Sequence, residues 1–198
     1  LGVDRAIDSL YAQSKLNGEK NILRYFNKSL ILRPSVVYSV DDNFSTQFMT
    51  ILSRLPIFPL YYNGNTKFTP IHCSDLTDII FHAINKNINS KIIECVGPET
   101  ISFKDILSIL LKLIDKKRLL LPFPLFVAKI TARIFELTPN PLLTIDQLKL
   151  LKYDNVISKN YSTNFDIGIP PKKFFEKEVE KYSFMWKEGG QFAKKNSP

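Results

Sequence analysis

The chain has 198 residues, of which 44% are hydrophobic, and a net charge of +8, so it can bury a core and is too apolar to be disordered throughout. It contains no uncharged apolar run of about 18 residues that could span a bilayer, and no secretory signal peptide opens it. Its two cysteines are too few for a disulfide framework or a four-cysteine zinc site. Because the chain begins with Leu1 rather than Met, we expect it to be the later part of a longer protein.

The excess positive charge lies mainly in the second half of the chain. Residues 1–103 carry 10 basic and 9 acidic side chains, whereas 104–198 carry 17 and 10. Such a balance is typical of a lysine-rich solvated surface or of a protein with an anionic partner. Only six of the 27 basic residues are Arg, and no nucleic-acid-binding motif is present, so no nucleic acid partner is predicted.

The first half of the chain alternates between helical and extended patterns. Asp8 or Ser9 can cap a helix over Leu10–Phe26. The β-rich run 30–38, interrupted by one proline, predicts a buried strand, and a helix over 43–54 follows it.

An Asn-Gly pair within residues 61–71 predicts a β-hairpin of two short strands. Beyond it, the pattern predicts a helix to about Asn85 that Ser74 or Asp75 caps, a strand over 91–96, and a helix that Ser102 opens and that runs through Ile114. Strands that alternate with helices indicate an α/β fold with at least partly parallel pairing.

Tyr11 and Lys15 are the first candidates for chemistry. Residues four apart on a helix share a face, and an ammonium beside a phenol favours the phenolate, which can exchange a proton with a substrate hydroxyl or carbonyl. Taken alone, this spacing favours an ordinary pair on a helix surface.

The surrounding residues give the pair a context. Tyr11-Ala12-Gln13-Ser14-Lys15, followed by Gly18-Glu19 and by a strand that contains Arg33-Pro34, resembles the active-site helix and next strand of the extended short-chain dehydrogenase/reductases. Further landmarks of that family match in order: Gly64-Asn65-Thr66 through Phe68, Ile71-His72-Cys73-Ser74-Asp75-Leu76 and Glu94-Cys95-Val96-Gly97-Pro98-Glu99.

This resemblance implies roles for individual residues. Tyr11 would be the catalytic acid/base, and Lys15 would assist it and hold the ribose of the nicotinamide. The backbone from Pro34 to Val37 would lie against the nicotinamide carboxamide. The implied cofactor is NAD(P)(H), and no metal site is implied.

The implied fold class is α/β: the latter part of a Rossmann-like doubly wound parallel sheet with a small, mostly helical C-terminal domain. Residues 1–98 would complete the dinucleotide-binding domain, with an inserted substrate-side segment at about 43–68, and 99–198 would form the helical domain. The family's glycine-rich phosphate turn is absent from these residues, so we expect tight cofactor binding only in the full-length parent. Ser39 also stands where the family usually has Gly.

The second half of the chain is similar to the nucleotide-binding accessory subunits of respiratory complex I and their bacterial relatives. The similar stretches are Leu142 to Gln147 (Thr-x-Asp-Gln), Leu150 to Val156 (Asp-Asn-Val) and Trp186 to Gly190. Their chemistry is not evident, because Thr144 and Asp154-Asn155 could simply be helix caps and turns. The resemblance implies complex I subunits as partners and a structural NAD(P)H.

Two further questions stay open in the sequence. The alternative function is a soluble NAD(P)-dependent oxidoreductase or epimerase that acts on a sugar nucleotide or a quinone-like substrate. The apolar block 119–137, with Lys129 and Arg133 on one helical face, suits either an anionic membrane surface or the core of the small domain. Complex I membership would place the protein peripherally on the cytoplasmic face of a bacterial inner membrane or on the mitochondrial matrix face.

Overall fold

A computed structural model describes residues 1–89, 91–137 and 143–190. Its helices are α1 (Leu10–Tyr25), α2 (Ser45–Arg54), α3 (Cys73–Asn85), α4 (Phe103–Leu113), α5 (Leu125–Phe135), α6 (Ile145–Leu150) and α7 (Phe175–Ser183). Its strands are β1 (Leu30–Pro34), β2 (Val37–Tyr38), β3 (Ile57–Leu60), β4 (Lys67–Phe68), β5 (Ile71–His72), β6 (Lys91–Cys95), β7 (Ile101–Ser102), β8 (Leu119–Pro122) and β9 (Ser162–Thr163).

A three-stranded parallel sheet with the order β1-β6-β9 forms the centre of the first half. Strand β6 is buried along its C-terminal part, where Ile93 pairs with Leu32 of β1 and with Ser162 of β9. Ile93 and Cys95 of this sheet are buried in one apolar cluster with Ile71 and Ile79. The prediction of an α/β fold with parallel pairing is confirmed.

A larger core lies beside the sheet and joins residues from both halves of the chain. Helices α2, α4 and α7 each bury one face in it, and strands β2, β3 and β4 contribute to it. Its buried members include Tyr38, Met49, Leu52, Leu60, Ile106, Leu107, Leu110, Phe175 and Val179. The division at residue 98 stays a prediction, although 38–60 and 101–114 pack into the same core.

The predicted hairpin over 61–71 is wrong. The chain does turn sharply, with positive φ at Tyr62, Asn63 and Gly64, but the strands on either side do not pair with each other. Strand β3 pairs with β8, and β4 pairs antiparallel with β7. The Asn-Gly pair favours only the local reversal of the chain direction. It does not determine which strands pair, and here β3 and β4 pair with strands far along the chain.

The predicted cap of α3 is also wrong. His72 is the N-cap residue, and its Nδ1 accepts the N–H of Ser74 at 3.2 Å. The carboxylate of Asp75 instead accepts the backbone N–H groups of Lys172 and Lys173 at 3.0 and 2.9 Å. Asp75 thereby ties α3 to the segment that leads into α7.

Ser9, Ser102 and Thr144 cap their helices, as their positions predict. Each side-chain oxygen accepts a backbone N–H from the first turn, and Thr144 forms a reciprocal capping box with Gln147.

Within 1–89, 91–137 and 143–190, no helix combines the length and apolar character needed to cross a bilayer.

Candidate functional site

Tyr11 and Lys15 lie side by side near the start of α1. The Nζ atom of Lys15 is 5.5 Å from the centroid of the Tyr11 ring. The Tyr11 side chain is 56% exposed, and Lys15 is exposed as well. The structure therefore brings the two predicted residues together and leaves both accessible to a ligand.

A buried ion network fastens α1 to the central sheet. The guanidinium of Arg33 on β1 binds both carboxylate oxygens of Glu19 on α1, with N–O distances of 2.9 and 2.6 Å, and it binds Asp4 at 3.1 Å. The ring of Tyr161 covers Arg33, with 4.4 Å between the guanidinium carbon and the ring centroid. Burial lowers the pKa of Arg33, but the bond to Glu19 outweighs this and raises it, so Arg33 stays charged.

The carboxylate of Asp146 holds the N-terminus of α1. Its oxygens accept the N–H of Leu10 at 2.8 Å, the N–H of Tyr11 at 3.1 Å and the hydroxyl of Ser9 at 2.8 Å. Partial burial raises the pKa of Asp146, but these hydrogen bonds outweigh that effect and lower it. A residue of the second half of the chain thus contacts the backbone of the proposed acid/base.

A second tie reaches the segment Pro34–Val37. The hydroxyl of Ser35 donates to the side-chain oxygen of Asn155 at 2.6 Å, while the N–H of Ser35 donates to the carbonyl of Cys95 at 2.9 Å. Val37 continues into β2, where it pairs with Ile71. The two parts of the predicted cofactor site are separate elements, and each is tied to the segment 146–155.

These contacts give the Thr-x-Asp-Gln and Asp-Asn-Val stretches a role that sequence reasoning missed. Thr144 is a helix cap, as one interpretation held, but Asp146 and Asn155 reach across to the site. Asp154 accepts the N–H of Lys67 at 2.8 Å, so it is a link between segments as well. The only signal in the sequence was that these stretches resemble a family, because side chains so far apart in the sequence show no periodic pattern.

Metal ligands are not clustered in the part of the chain that the structure describes: no group of three or more His, Cys, Asp or Glu side chains there could hold an ion.

Cys73 is exposed and Cys95 is buried, and burial raises the pKa of Cys95 to about 12. A buried thiol with a raised pKa is a poor nucleophile at neutral pH.

Curated relatives match almost the whole chain. The mitochondrial protein named NADH dehydrogenase [ubiquinone] 1 alpha subcomplex subunit 9 from Arabidopsis thaliana is 24% identical over 201 residues, which is 96% of this chain and 50% of that protein. The protein of the same name from Mus musculus is 23% identical over 170 residues, 85% of this chain and 45% of that protein. This chain therefore spans about half the length of these relatives. No protein-family model matches it.

Solved structures share the fold. A dTDP-glucose 4,6-dehydratase from Bacillus anthracis in complex with NAD superposes with a TM-score of 0.61 at 15% identity and covers 90% of this chain and 51% of its own. A UDP-glucuronic acid 4-epimerase from Bacillus cereus, in complex with UDP-glucuronic acid and NAD, gives 0.55 at 22% identity and covers 89% and 52%. The Rossmann-like fold is thereby confirmed. The chain is similar to the alpha subcomplex subunit 9 proteins over most of its length, and it shares the Rossmann-like fold of these solved structures.

Proposed function

We propose that this chain is the C-terminal portion of a complex I accessory subunit that binds NAD(P)(H), with Tyr11, Lys15 and the backbone from Pro34 to Val37 around the nicotinamide. The observation that carries the proposal is the exposed Tyr11–Lys15 pair at the anchored start of α1. The homology to subunit 9 proteins supports the complex, and the fold of NAD-bound relatives supports the cofactor.

The donors present fit a nicotinamide nucleotide. A phenol and an ammonium on one helix face can both bond ribose hydroxyls, and backbone groups of an extended segment can bond a carboxamide. When bound, the cofactor supplies a hydride donor or acceptor. Tyr11 holds or transfers a proton at its hydroxyl, and Lys15 keeps a positive charge beside it. In an accessory subunit, these same contacts keep the cofactor bound, and no substrate is converted.

The test starts with the full-length parent, purified gently from its source membranes. We expect denaturation to release a nicotinamide dinucleotide and complex I subunits to co-purify. In the isolated parent, Tyr11→Phe should weaken NADH binding several-fold, measured by NADH fluorescence, because one hydroxyl contact is lost. Tyr25→Phe removes a hydroxyl from the exposed C-terminal end of the same helix and should leave binding unchanged. Equal binding by both variants and the parent would contradict the assignment of Tyr11.

A second candidate is a soluble NAD(P)-dependent oxidoreductase or epimerase. The accessibility of Tyr11 favours it, because a catalytic phenol must reach its substrate. In that case nicotinamide absorbance changes when a sugar nucleotide or a quinone is added, and Tyr11→Phe abolishes the change. Rapid cofactor exchange in a free, soluble protein would support this function and exclude the accessory subunit.

We also infer that α5 lies on an anionic membrane surface. Helix α5 buries Ala128 and Ala132, whereas several larger apolar side chains on it are exposed. They include Phe126, Ile130, Ile134 and, just beyond the helix, Leu137. Lys129 and Arg133 are exposed along the flank of this stripe. Apolar residues flanked by basic ones suit the headgroup region of a bilayer with anionic lipids.

The double variant Lys129→Glu/Arg133→Glu should lose binding to phosphatidylserine-containing vesicles by about tenfold or more, because each basic side chain near such a surface contributes about 1 kcal/mol. Vesicle flotation of the full-length protein measures this. The matched control is Lys86→Glu/Lys91→Glu, which changes the net charge equally on exposed residues of the first half. Equal losses in both variants would mean that net charge alone drives association, and no loss in either would exclude an electrostatic surface at α5.

The proposed location is the cytoplasmic face of a bacterial inner membrane, with the mitochondrial matrix face as the alternative. Both are consistent with a protein that associates peripherally. Subcellular fractionation of the source cells distinguishes them.

A further inference from the structure

We propose that Asp146 is a positioning residue that fixes the Tyr11–Lys15 pair from the C-terminal part of the chain. This inference rests on the proposed function of the pair in binding a nicotinamide cofactor. It extends that function to a residue 135 positions away from Tyr11 in the sequence.

The first turn of α1 shows why Asp146 is needed. The first N–H groups of a helix have no partner within the helix and need acceptors from elsewhere. Of these groups, the side chain of the N-cap residue Ser9 accepts the N–H of Ala12, at 3.2 Å. The carboxylate of Asp146 accepts the N–H groups of Leu10 and Tyr11, which precede Ala12. It also accepts a hydrogen bond from the hydroxyl of Ser9. The N–H groups of Leu10 and Tyr11 therefore have an acceptor only because Asp146 is present, whereas Ala12 has its acceptor in Ser9.

Asp146 is itself held in place. It lies in the first turn of α6, whose N-terminus is closed by the capping box of Thr144 and Gln147. The N–H of Ile145 donates to Glu136 at 2.8 Å, and Leu148 anchors the helix in a small core with Ala128 and Ala132. The carboxylate is thus presented from a fixed platform rather than from a flexible loop.

The bond to the backbone of Tyr11 links this platform to ligand binding. If the carboxylate is removed, the first turn of α1 loses two acceptors and can fray, and the phenol of Tyr11 then samples other directions. Small displacements of a group that contacts a ligand reduce binding strongly, because the contact needs a defined geometry. Lys15 lies one turn further along and is held by intact helical hydrogen bonds, so Tyr11 is affected first.

The experiment compares Asp146→Asn with Asp166→Asn in the full-length protein. Asp166 is the matched control, since its carboxylate also accepts a backbone N–H and a hydroxyl, both from Thr163, at 2.7 and 2.9 Å. We expect Asp146→Asn to raise the Kd for NADH about fivefold or more at a temperature well below unfolding, and Asp166→Asn to leave it unchanged. Hydrogen exchange at the amides of Leu10 and Tyr11 should accelerate in the first variant alone.

The outcomes separate the two proposals. A parent that binds no nicotinamide dinucleotide would remove the proposed function and this inference together. A parent that binds NADH while Asp146→Asn binds it equally well, with faster exchange at Leu10 and Tyr11, would show a purely structural cap and overturn the inference alone. If Asp146→Asn does not fold, Asp146→Glu tests the same link, because it keeps the negative charge but displaces the carboxylate from the N–H groups of Leu10 and Tyr11. A raised Kd in that variant would support the inference, and an unchanged Kd would overturn it.

Discussion

Replacing Arg33 with alanine is expected to lower the free energy of unfolding by about 3 to 5 kcal/mol, because it leaves two carboxylates without their partner in a largely buried place. The Arg33 side chain is 3% exposed, and those of Glu19 and Asp4 are 13% and 26% exposed. Urea unfolding followed by circular dichroism measures the loss. Since Glu19 belongs to α1, we also expect hydrogen exchange in that helix to accelerate.

The control for this prediction is Lys112→Ala. Lys112 and Glu176 form an ion pair with side chains 75% and 43% exposed, and exposed pairs of this kind contribute little to stability because solvent screens them. The two variants remove one positive charge each, so the difference between them reports burial rather than net charge. A loss below about 1 kcal/mol for Arg33→Ala would contradict a structural role of the network.

The second large effect is expected at Gly97, two residues after the end of β6. A Cβ atom there would lie 1.8 Å from the carbonyl oxygen of Pro70 and 2.8 Å from its carbonyl carbon, and both are backbone atoms. The N–H of Gly97 also donates to the carbonyl of Thr69 at 3.1 Å. Gly97→Ala must therefore push the two segments apart, and we expect it to cost about 3 kcal/mol in unfolding free energy.

Gly18→Ala provides the contrast. Gly18 lies inside α1, and nothing lies within 4 Å of the Cβ position there. Alanine is the better helix former, so this variant should gain about 0.5 to 1 kcal/mol. Thermal melting of the two variants measures both changes: the melting temperature should fall for Gly97→Ala and rise for Gly18→Ala. A stable Gly97→Ala variant would mean that the approach to Pro70 relaxes without cost.

Local structure was the part that the sequence predicted well. Capping residues and apolar periodicity identify α1 and α4 within one residue of their observed ends, because these signals act within a few residues. The hairpin around Asn63 failed because the partner of each strand lies far along the chain. His72 as a cap was missed because serine and aspartate, the usual caps, follow it directly.

In the candidate site, too, the sequence predicted local geometry and missed the long-range contacts. Tyr11 and Lys15 could be paired from their spacing, since one helix determines their geometry. Asp146 and Asn155 could not be connected to them, because the contact depends on how α6 and the segment after it pack on the first half of the chain. Burial of Arg33 was equally invisible, since arginine is mostly exposed in proteins.

The bond between Asp146 and α1 also sets an order of events during synthesis. Residues 9–11 leave the ribosome about 135 residues before their acceptor does, and at about 5 to 20 residues per second this delay lasts roughly 7 to 27 s. During that interval the start of α1 lacks two of its acceptors, so the helix forms without a fixed first turn. The Tyr11–Lys15 pair consequently matures late in translation, and a product truncated before residue 146 would keep the residues of the pair without their final placement.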